Sequence, residues 1–403
     1  MTSEATPRLR DFLILLKDGT HNPPERSEEG IRFIAGATDI KYLDINFSRC
    51  TYVDEETFSQ MHKKWQPLVN DVLLTIVGTV GNTAIVKKED TPFTMQRSIA
   101  TLRPKENLYF RYLFYWLNSY EAKWAINSRI TATGQPGIYL GVLGGIPFSP
   151  PDYDIQIKIS EYLYKIDILI QTGKILTETI DDFTSSLFRS WFIDFNPIKN
   201  KSEGRLSYGM DEETTKLFSD SFIESDLGLI PDSWKVGKII DLFFLQRGFD
   251  LPAHEIIQGP YEVSASSGIK GHHNEFKVKG PGVCTGRSGS LGNVHFVHGD
   301  FWPAETVLWV KEYRQSNPYF AYHLLKSMDL KMLNCGSAVP ILNRNHLHSM
   351  PFVIPPMEII EKFGELVKPF FVLKNLNTKW ETNLVDLRNI LLQRLMSGEL
   401  KLN

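Results

Sequence analysis

The sequence predicts an α+β protein: two globular halves of mixed α/β character, separated by two long antiparallel helices that form a coiled coil, in a pseudo-twofold internal repeat. Two observations carry that prediction. One apolar helical stripe occurs twice, and a set of shorter landmarks recurs in the same order. The stripe is Leu176, Ile180, Phe183, Leu187 and Trp191, at steps of four, three, four and four, which is the signature of a helical seam. Adding 204 to each number lands on Trp380, Leu384, Leu387, Leu391 and Leu395, with the spacing kept to the residue. These ten residues are the expected helix-helix interface.

Each copy follows the same kind of segment: Ile146-Pro147-Phe148-Ser149-Pro150-Pro151 before the first, Met350-Pro351-Phe352-Val353-Ile354-Pro355-Pro356 before the second. A double proline ends a strand or loop and opens a helix. A helix of about 40 residues would be roughly 60 Å long. It cannot bury its stripe alone, so its copy in the same chain is the expected partner. Each seam position contributes about 1.5 to 3 kcal/mol gross, before entropy is subtracted. Gly173 falls where the phase slips, and Pro369 is expected to kink or break the second helix in its first turns.

The expected segments are a first domain over 1–151, a first spacer helix over 152–195 and a linker over 196–226. A second domain over 227–355 and a second spacer helix over 356–403 complete the chain. In the first domain, Asp71-Val72-Leu73-Leu74-Thr75-Ile76-Val77 reads as a buried strand, followed by Gly78-Thr79-Val80-Gly81-Asn82 and a second strand at Ala84-Ile85-Val86. Gly289-Ser290-Leu291-Gly292-Asn293, followed by Val294 to Val297, repeats this pattern. A turn needing positive φ explains these glycines better than a phosphate loop, because no Lys-Ser/Thr and no helix follows. Tyr109-Phe110-Arg111-Tyr112 is answered by Tyr319-Phe320-Ala321-Tyr322, each opening an apolar helical stretch. Gly134-Gln135-Pro136-Gly137-Ile138 is answered by Gly336-Ser337-Ala338-Val339-Pro340-Ile341. Landmarks in one order, at shifts between about 204 and 211, make this an internal duplication.

Composition is that of an ordinary soluble protein, 42% hydrophobic and 23% charged. Nowhere do eighteen apolar residues run together, and the start has no apolar run behind a basic stretch, so a cytoplasmic chain with no membrane partner is expected. Three cysteines, Cys50, Cys284 and Cys335, stand far apart and fit a reducing compartment. The net charge of −3 does not advertise a nucleic-acid binder, although Lys and Arg can still gather on one face.

No convincing active site is legible. Asn22-Pro23-Pro24-Glu25 resembles the catalytic loop of amino-methyltransferases but has Glu25 where an aromatic residue is required. Glu275-Phe276-Lys277 matches only the tail of a nuclease pattern. His254, His272 and His273 have no carboxylate or Cys at ligand spacing, and adjacent histidines on a strand point opposite ways. What the loops do offer is chemistry for base edges: Arg287, Arg344 between Asn343 and Asn345, Lys270 and Asn274 are residue types that pair with guanine or adenine. Thr20, His21, Gln135, Arg247, His272, Ser288 and Asn345 complete the expected DNA-binding set. A solvated surface side chain is the alternative for each.

The resemblance lies in longer strings: Leu227-Gly228-Leu229-Ile230-Pro231-Asp232-Ser233-Trp234, Ser266-Ser267-Gly268-Ile269, Gly286-Arg287-Ser288-Gly289-Ser290-Leu291-Gly292, Asp300-Phe301-Trp302-Pro303, and Gly336-Ser337-Ala338-Val339-Pro340 through Leu342-Asn343-Arg344-Asn345-His346. Asp18-Gly19-Thr20-His21 and Ser190-Trp191-Phe192-Ile193-Asp194-Phe195 add to them. With these, the chain resembles the specificity (S) subunit of type I restriction-modification systems over nearly its whole length.

The resemblance implies a non-catalytic subunit with two target-recognition domains, each reading one half of a bipartite target in double-stranded DNA. Two methyltransferase subunits would dock on the helices and their flanks, and restriction/translocase subunits would join them. The resemblance implies no cofactor in this chain; S-adenosylmethionine, ATP and Mg2+ would sit on the partners. Half-sites on one face of a duplex recur about every 34 to 36 Å, so a spacer of fixed length would select their separation. A stand-alone DNA adenine methyltransferase or nuclease, and a protein scaffold that ignores DNA, are the competing expectations.

Overall fold

The computed structural model describes residues 6–22, 24–131, 134–207 and 209–402. Pro23 of the proline tetrad and Tyr208 of the expected linker lie outside the described residues. The chain divides into two units, Met1–Thr172 with Glu381–Asn403, and Gly173–Trp380.

In chain order the repeat strands of the first unit are β1 (Leu13–Asp18), β2 (Ile31–Ile34), β3 (Thr51–Val53), β4 (Val72–Thr75), β5 (Thr83–Ile85), β6 (Phe93–Met95) and β7 (Ile99–Pro104). Four of them form an antiparallel sheet in the order β1-β7-β4-β5. The other three form a sheet in the order β3-β2-β6, in which β2 and β6 run parallel. Every residue of β4 is buried, which accounts for its unbroken apolar run in place of an alternating pattern. The helix Phe110–Asn118 covers the sheet with Leu113, Phe114, Tyr115 and Leu117.

The second unit repeats this strand for strand. Its strands β8 (Phe243–Arg247), β9 (Tyr261–Ala265), β10 (Gly268–His273), β11 (Gly282–Gly286), β12 (Val294–Val297), β13 (Phe301–Pro303) and β14 (Val307–Tyr313) form sheets ordered β8-β14-β11-β12 and β10-β9-β13. The β9/β13 pair is again parallel. The matching pairs are both bulged, but on opposite strands: the β1/β7 register skips Ile14 in β1, and the β8/β14 register skips Lys311 in β14. The turn glycines meet expectation, with φ of 79° and 102° at Gly78 and Gly81 and 82° and 85° at Gly289 and Gly292. A side chain is strained at such angles.

Two helices of 40 residues, Tyr153–Phe192 and Met357–Met396, carry the expected stripes. Within the second unit their partners descend in one as they rise in the other: Thr177 with Asn377, Asp181 with Lys374, Phe183 with Phe370, Phe188 with Phe363. They are therefore antiparallel. Neither Gly173 nor Pro369 breaks its helix. Gly173 is buried in an unbroken helix, and its carbonyl accepts from Asn377 Nδ2 at 2.7 Å. Asn377 is its own counterpart at the 204-residue shift. Pro369 lies inside the second helix without ending it. The carbonyl four residues earlier belongs to exposed Glu365, where water can replace the missing N–H.

The segment expected as a linker is folded. Short helices span Asn196–Ser202 and Glu212–Lys216, and Ile198 and Phe218 are buried in the second unit's core against Trp191 and its neighbours. The charge-rich composition hid two apolar anchors. A hairpin of Phe222–Ser225 with Gly228–Pro231 straddles the expected boundary. Among the described residues no helix is long and apolar enough to cross a membrane.

Candidate nucleic-acid interface

Matched backbone hydrogen bonds build the same loop cluster in each unit. In the first, Gly19 N donates to Ile99 O at 3.2 Å, Thr20 N to Met95 O at 2.9 Å, Ile76 N to Ser98 O at 2.8 Å, Gly78 N to Pro136 O at 2.8 Å and Ile138 N to Ile76 O at 2.9 Å. In the second, Gly248 N donates to Val307 O at 3.1 Å, Phe249 N to Pro303 O at 2.8 Å, Arg287 N to Thr306 O at 2.8 Å, Gly289 N to Pro340 O at 3.0 Å and Leu342 N to Arg287 O at 2.8 Å. Glycine is required at 19 and 248 because the chains nearly touch. A Cβ there would stand 2.1 Å from Met95 O and 2.1 Å from Ala304 O, respectively.

These bonds align Asp18 with Arg247, His21 with Asp250, Ile76 with Arg287, and Arg97 with Glu305. The backbone is shared and the side chains are not. In the first unit His21 Nε2 contacts Asp18 Oδ2 at 2.9 Å on the surface, and Thr20 Oγ1 donates to Asn22 O at 2.7 Å. Gln135 is exposed and lines a hollow of about 330 Å³ with Arg97, Thr38, Gly78 and Thr79. Arg97, which sequence reasoning missed, is an exposed cation in that hollow. Its place two residues before a strand, mirrored by Glu305 two residues before β14, was the available signal.

In the second unit three of the expected residues converge. Arg287 Nη1 donates to Glu305 O at 3.1 Å, and Lys270 Nζ reaches Leu251 O at 3.5 Å. Burial and the like charge of Arg247 hold the Arg287 guanidinium below its ordinary pKa, against the pull of Glu305. Glu305 is raised above the usual carboxylate value, first by its hydrogen bond with Asp250, then by burial and Asp250's charge, with Lys270 and Arg247 opposing. So Arg247, Lys270 and Arg287 share one patch with two acids, Asp250 and Glu305, that a search for cations overlooked. Ser288 lies beside Arg287, bridged to Ile341.

Others are placed differently. Arg344 lies 5.6 Å from the Phe244 ring and near His348. Asn345 N is taken by Asn343 Oδ1 at 2.9 Å, capping the short helix Arg344–Ser349. His272 is half-buried and Asn274 exposed at the end of β10, while His273 is buried, with Nδ1 accepting from Ile257 N at 3.1 Å. Lys277 Nζ sits 4.6 Å from the Trp302 ring centroid.

Of the ten expected interface residues, Ile180, Trp191, Leu384 and Leu395 are buried, and Leu187 and Leu391 are partly buried against the unit cores. Leu176, Phe183, Trp380 and Leu387 are exposed. The inner faces instead bury residues such as Leu163, Asp167, Ile170, Thr184 and Phe188 on the first helix, and Phe363, Val367, Phe371 and Leu392 on the second.

The comparisons agree with the duplication. The profile of the type I restriction modification DNA specificity domain matches twice, over residues 33–180 and 231–384. A type I restriction enzyme specificity subunit, MjaIX, of Methanocaldococcus jannaschii is 24% identical over 357 residues, covering 82% of this chain and 77% of that one. The HindI specificity subunit of Haemophilus influenzae is 21% identical over 331 residues, covering 66% and 71%. The crystal structure of a type I restriction-modification system S subunit from M. genitalium has the same fold, with a TM-score of 0.62 at 16% identity, over 96% of this chain and 94% of that one. With both halves matched, the chain belongs to the type I restriction modification DNA specificity domain family.

Proposed function

We propose that this chain is the non-catalytic specificity subunit of a type I restriction-modification complex, in which each unit reads one half of a bipartite DNA target. The observation that carries the reading is the matched loop cluster: one backbone scaffold presents Asp18, His21, Ile76 and Arg97 in one unit and Arg247, Asp250, Arg287 and Glu305 in the other. A conserved frame with exchanged donors and acceptors is what two readers of unlike sequences need, because base edges are told apart by their donor and acceptor patterns. Thr20, His21 and Gln135 belong to the first reader. Arg247, Lys270, His272, Asn274, Arg287, Ser288, Arg344 and Asn345 belong to the second.

The partners in this proposal are double-stranded DNA, two methyltransferase subunits and the restriction/translocase subunits. The exposed apolar residues of the long helices support docking. Tyr162, Leu169 and Leu176 are exposed at steps of seven, as are their counterparts Leu366, Leu373 and Trp380, whereas Phe183, next in the series, is half exposed and rests on Phe370 of the other helix. A heptad stripe facing solvent suits a partner helix. Chemistry is assigned to the partners, which would hold S-adenosylmethionine, ATP and Mg2+ and extrude the target adenine. The domain limits 1–151 and 227–355, flanked by the spacer helices and the segment 196–226, serve as the units of exchange.

Replacing residues 1–150 by the equivalent half of a relative is expected to change one half of the methylated motif in the host genome and leave the other intact. A change in both halves, or in neither, overturns the reading. Methyl transfer from labelled S-adenosylmethionine to DNA by the purified chain alone would remove the assignment of catalysis to partner subunits.

A further inference from the structure

Glu305 sits where a DNA-reading surface would least be expected to hold an acid. The residues on either side of it are pinned: Ala304 bridges Phe249, and Thr306 O accepts from Arg287 N at 2.8 Å. Its own carbonyl accepts from Arg287 Nη1 at 3.1 Å, so the backbone is fixed within reach of the cation best suited to guanine. Asp250 stands beside its carboxyl, and Arg247 and Lys270 flank the pair.

Two carboxylates facing a polyanion oppose binding in general. They help only where they accept from a base. In the major groove the donors are the amines of cytosine and adenine. Adenine presents the N7 acceptor beside its amine, which a second carboxylate oxygen repels, whereas cytosine presents the amine alone. Guanine O6 and N7 and thymine O4 are acceptors, so an acid rejects them as strongly as it welcomes cytosine. At the matching place in the first unit the residue is Arg97, an exposed donor in the hollow lined by Thr38, Thr79 and Gln135.

We infer that the position held by Glu305 in the second unit and Arg97 in the first determines base specificity: Glu305, with Asp250 beside it, accepts from the cytosine amine in one half-site, and Arg97 donates to guanine in the other. The inference rests on the DNA-reading role proposed above and adds the base class that each unit selects. The two units thus place opposite hydrogen-bonding signs on one scaffold position.

The test uses the chain assembled with its methyltransferase subunits. Binding is measured by fluorescence anisotropy on a panel of duplexes in which each base pair of the methylated motif is replaced in turn. For the unaltered complex, replacing the cytosine pair in the second unit's half-site is expected to weaken binding about tenfold or more. With Glu305→Gln that penalty is expected to fall to about twofold at that position alone. Arg97→Gln is expected to do the same at one guanine position in the other half-site. Glu305→Ala replaces Glu305→Gln if the latter fails to assemble. The inference is overturned if the Glu305→Gln profile coincides with the unaltered one, if the change falls in the other half-site, or if all duplexes weaken equally. Arg287→Ala is run in parallel. If it alters a position while Glu305→Gln does not, the inference fails and the DNA-reading role stands. If neither alters any position, the role of this loop cluster fails with it.

Discussion

Asp167 and Phe371 stand 204 residues apart at the same place on the two long helices, and both are buried. The first is the hub of a polar cluster: it accepts from Tyr115 Oη at 2.6 Å, Tyr42 Oη at 3.1 Å and Arg388 Nη1 at 2.9 Å. Burial and the Asp167 charge push both phenols up, so they stay donors. The second is the hub of an aromatic cluster, with ring centroids of Phe296, Tyr319, Tyr322 and His323 at 4.5, 5.1, 5.3 and 5.7 Å. One backbone position therefore serves two chemistries. The duplication fixes where a side chain is buried, and the neighbours supplied by each unit decide whether it is an ion or a ring.

That contrast makes the polar hub the more fragile of the two to loss of a charge. Arg388→Ala would leave a carboxylate that is 3% exposed with two hydroxyl donors and, among the described residues, no ion-pair partner. A loss of about 3–5 kcal/mol is expected, because an unpaired buried ion is left behind. Chemical denaturation measures it, and a cost below about 1 kcal/mol would place the pair among the weak surface bridges.

The aromatic hub has its own weakness, which acid exposes. His323 is buried, its Nε2 has no hydrogen-bond partner among the described residues, and burial, then Lys326 and Lys374, push its pKa down to about 3 from 6.5. The unfolded chain therefore takes up a proton between those values that the folded chain refuses. This group's contribution is fully present above pH 6.5 and is lost as the pH falls towards 3, with a slope of up to about 1.4 kcal/mol per pH unit. Leu113 holds the matching place after the first Tyr-Phe landmark, so His323→Leu is expected to flatten the pH dependence of the unfolding midpoint between pH 4 and 6.5. An unchanged slope would assign the acid sensitivity to other groups.

Between the loop clusters the contrast is one of specificity. Arg287→Ala is expected to cost about 1–3 kcal/mol of discrimination at one position of the second half-site. The first half-site, where Ile76 holds the matched place, should be untouched. Competition binding with single-pair substitutions reads both together, and equal losses in the two halves would break the comparison.

The repeat was legible because glycines, prolines and aromatic landmarks survive in both copies. The inward face of the helices was not. Gly173, Asp167, Thr184 and Asn377 are buried there, so the inner stripe looks less apolar in sequence than the outer one carrying Leu176, Trp380 and Leu387. Both stripes repeat with the same period, and periodicity alone cannot tell which faces its partner. Among the loop residues, Arg247, Lys270 and Arg287 were recognisable as donors, but their meeting depends on pairings between distant segments. Asp250 and Glu305 were missed because acids argue against DNA binding until the cations around them are seen.

Lys374 offers the finest test of the two helix surroundings. It pairs with Asp181 at 2.5 Å, as Arg388 pairs with Asp167, but both side chains are about a quarter exposed, at 25% and 27%. Lys326 Nζ also lies 3.9 Å from the same carboxylate. Water and a second cation thus remain for Asp181 when Lys374 is removed, whereas among the described residues Asp167 has no second ion pair and is 3% exposed. Lys374→Ala is expected to cost less than about 1 kcal/mol and to lose even that in high salt. A cost equal to that of Arg388→Ala, persisting at 1 M salt, would mean that burial of the carboxylate does not set the strength of these pairs. The polar and aromatic hubs would then differ in composition without differing in what holds them.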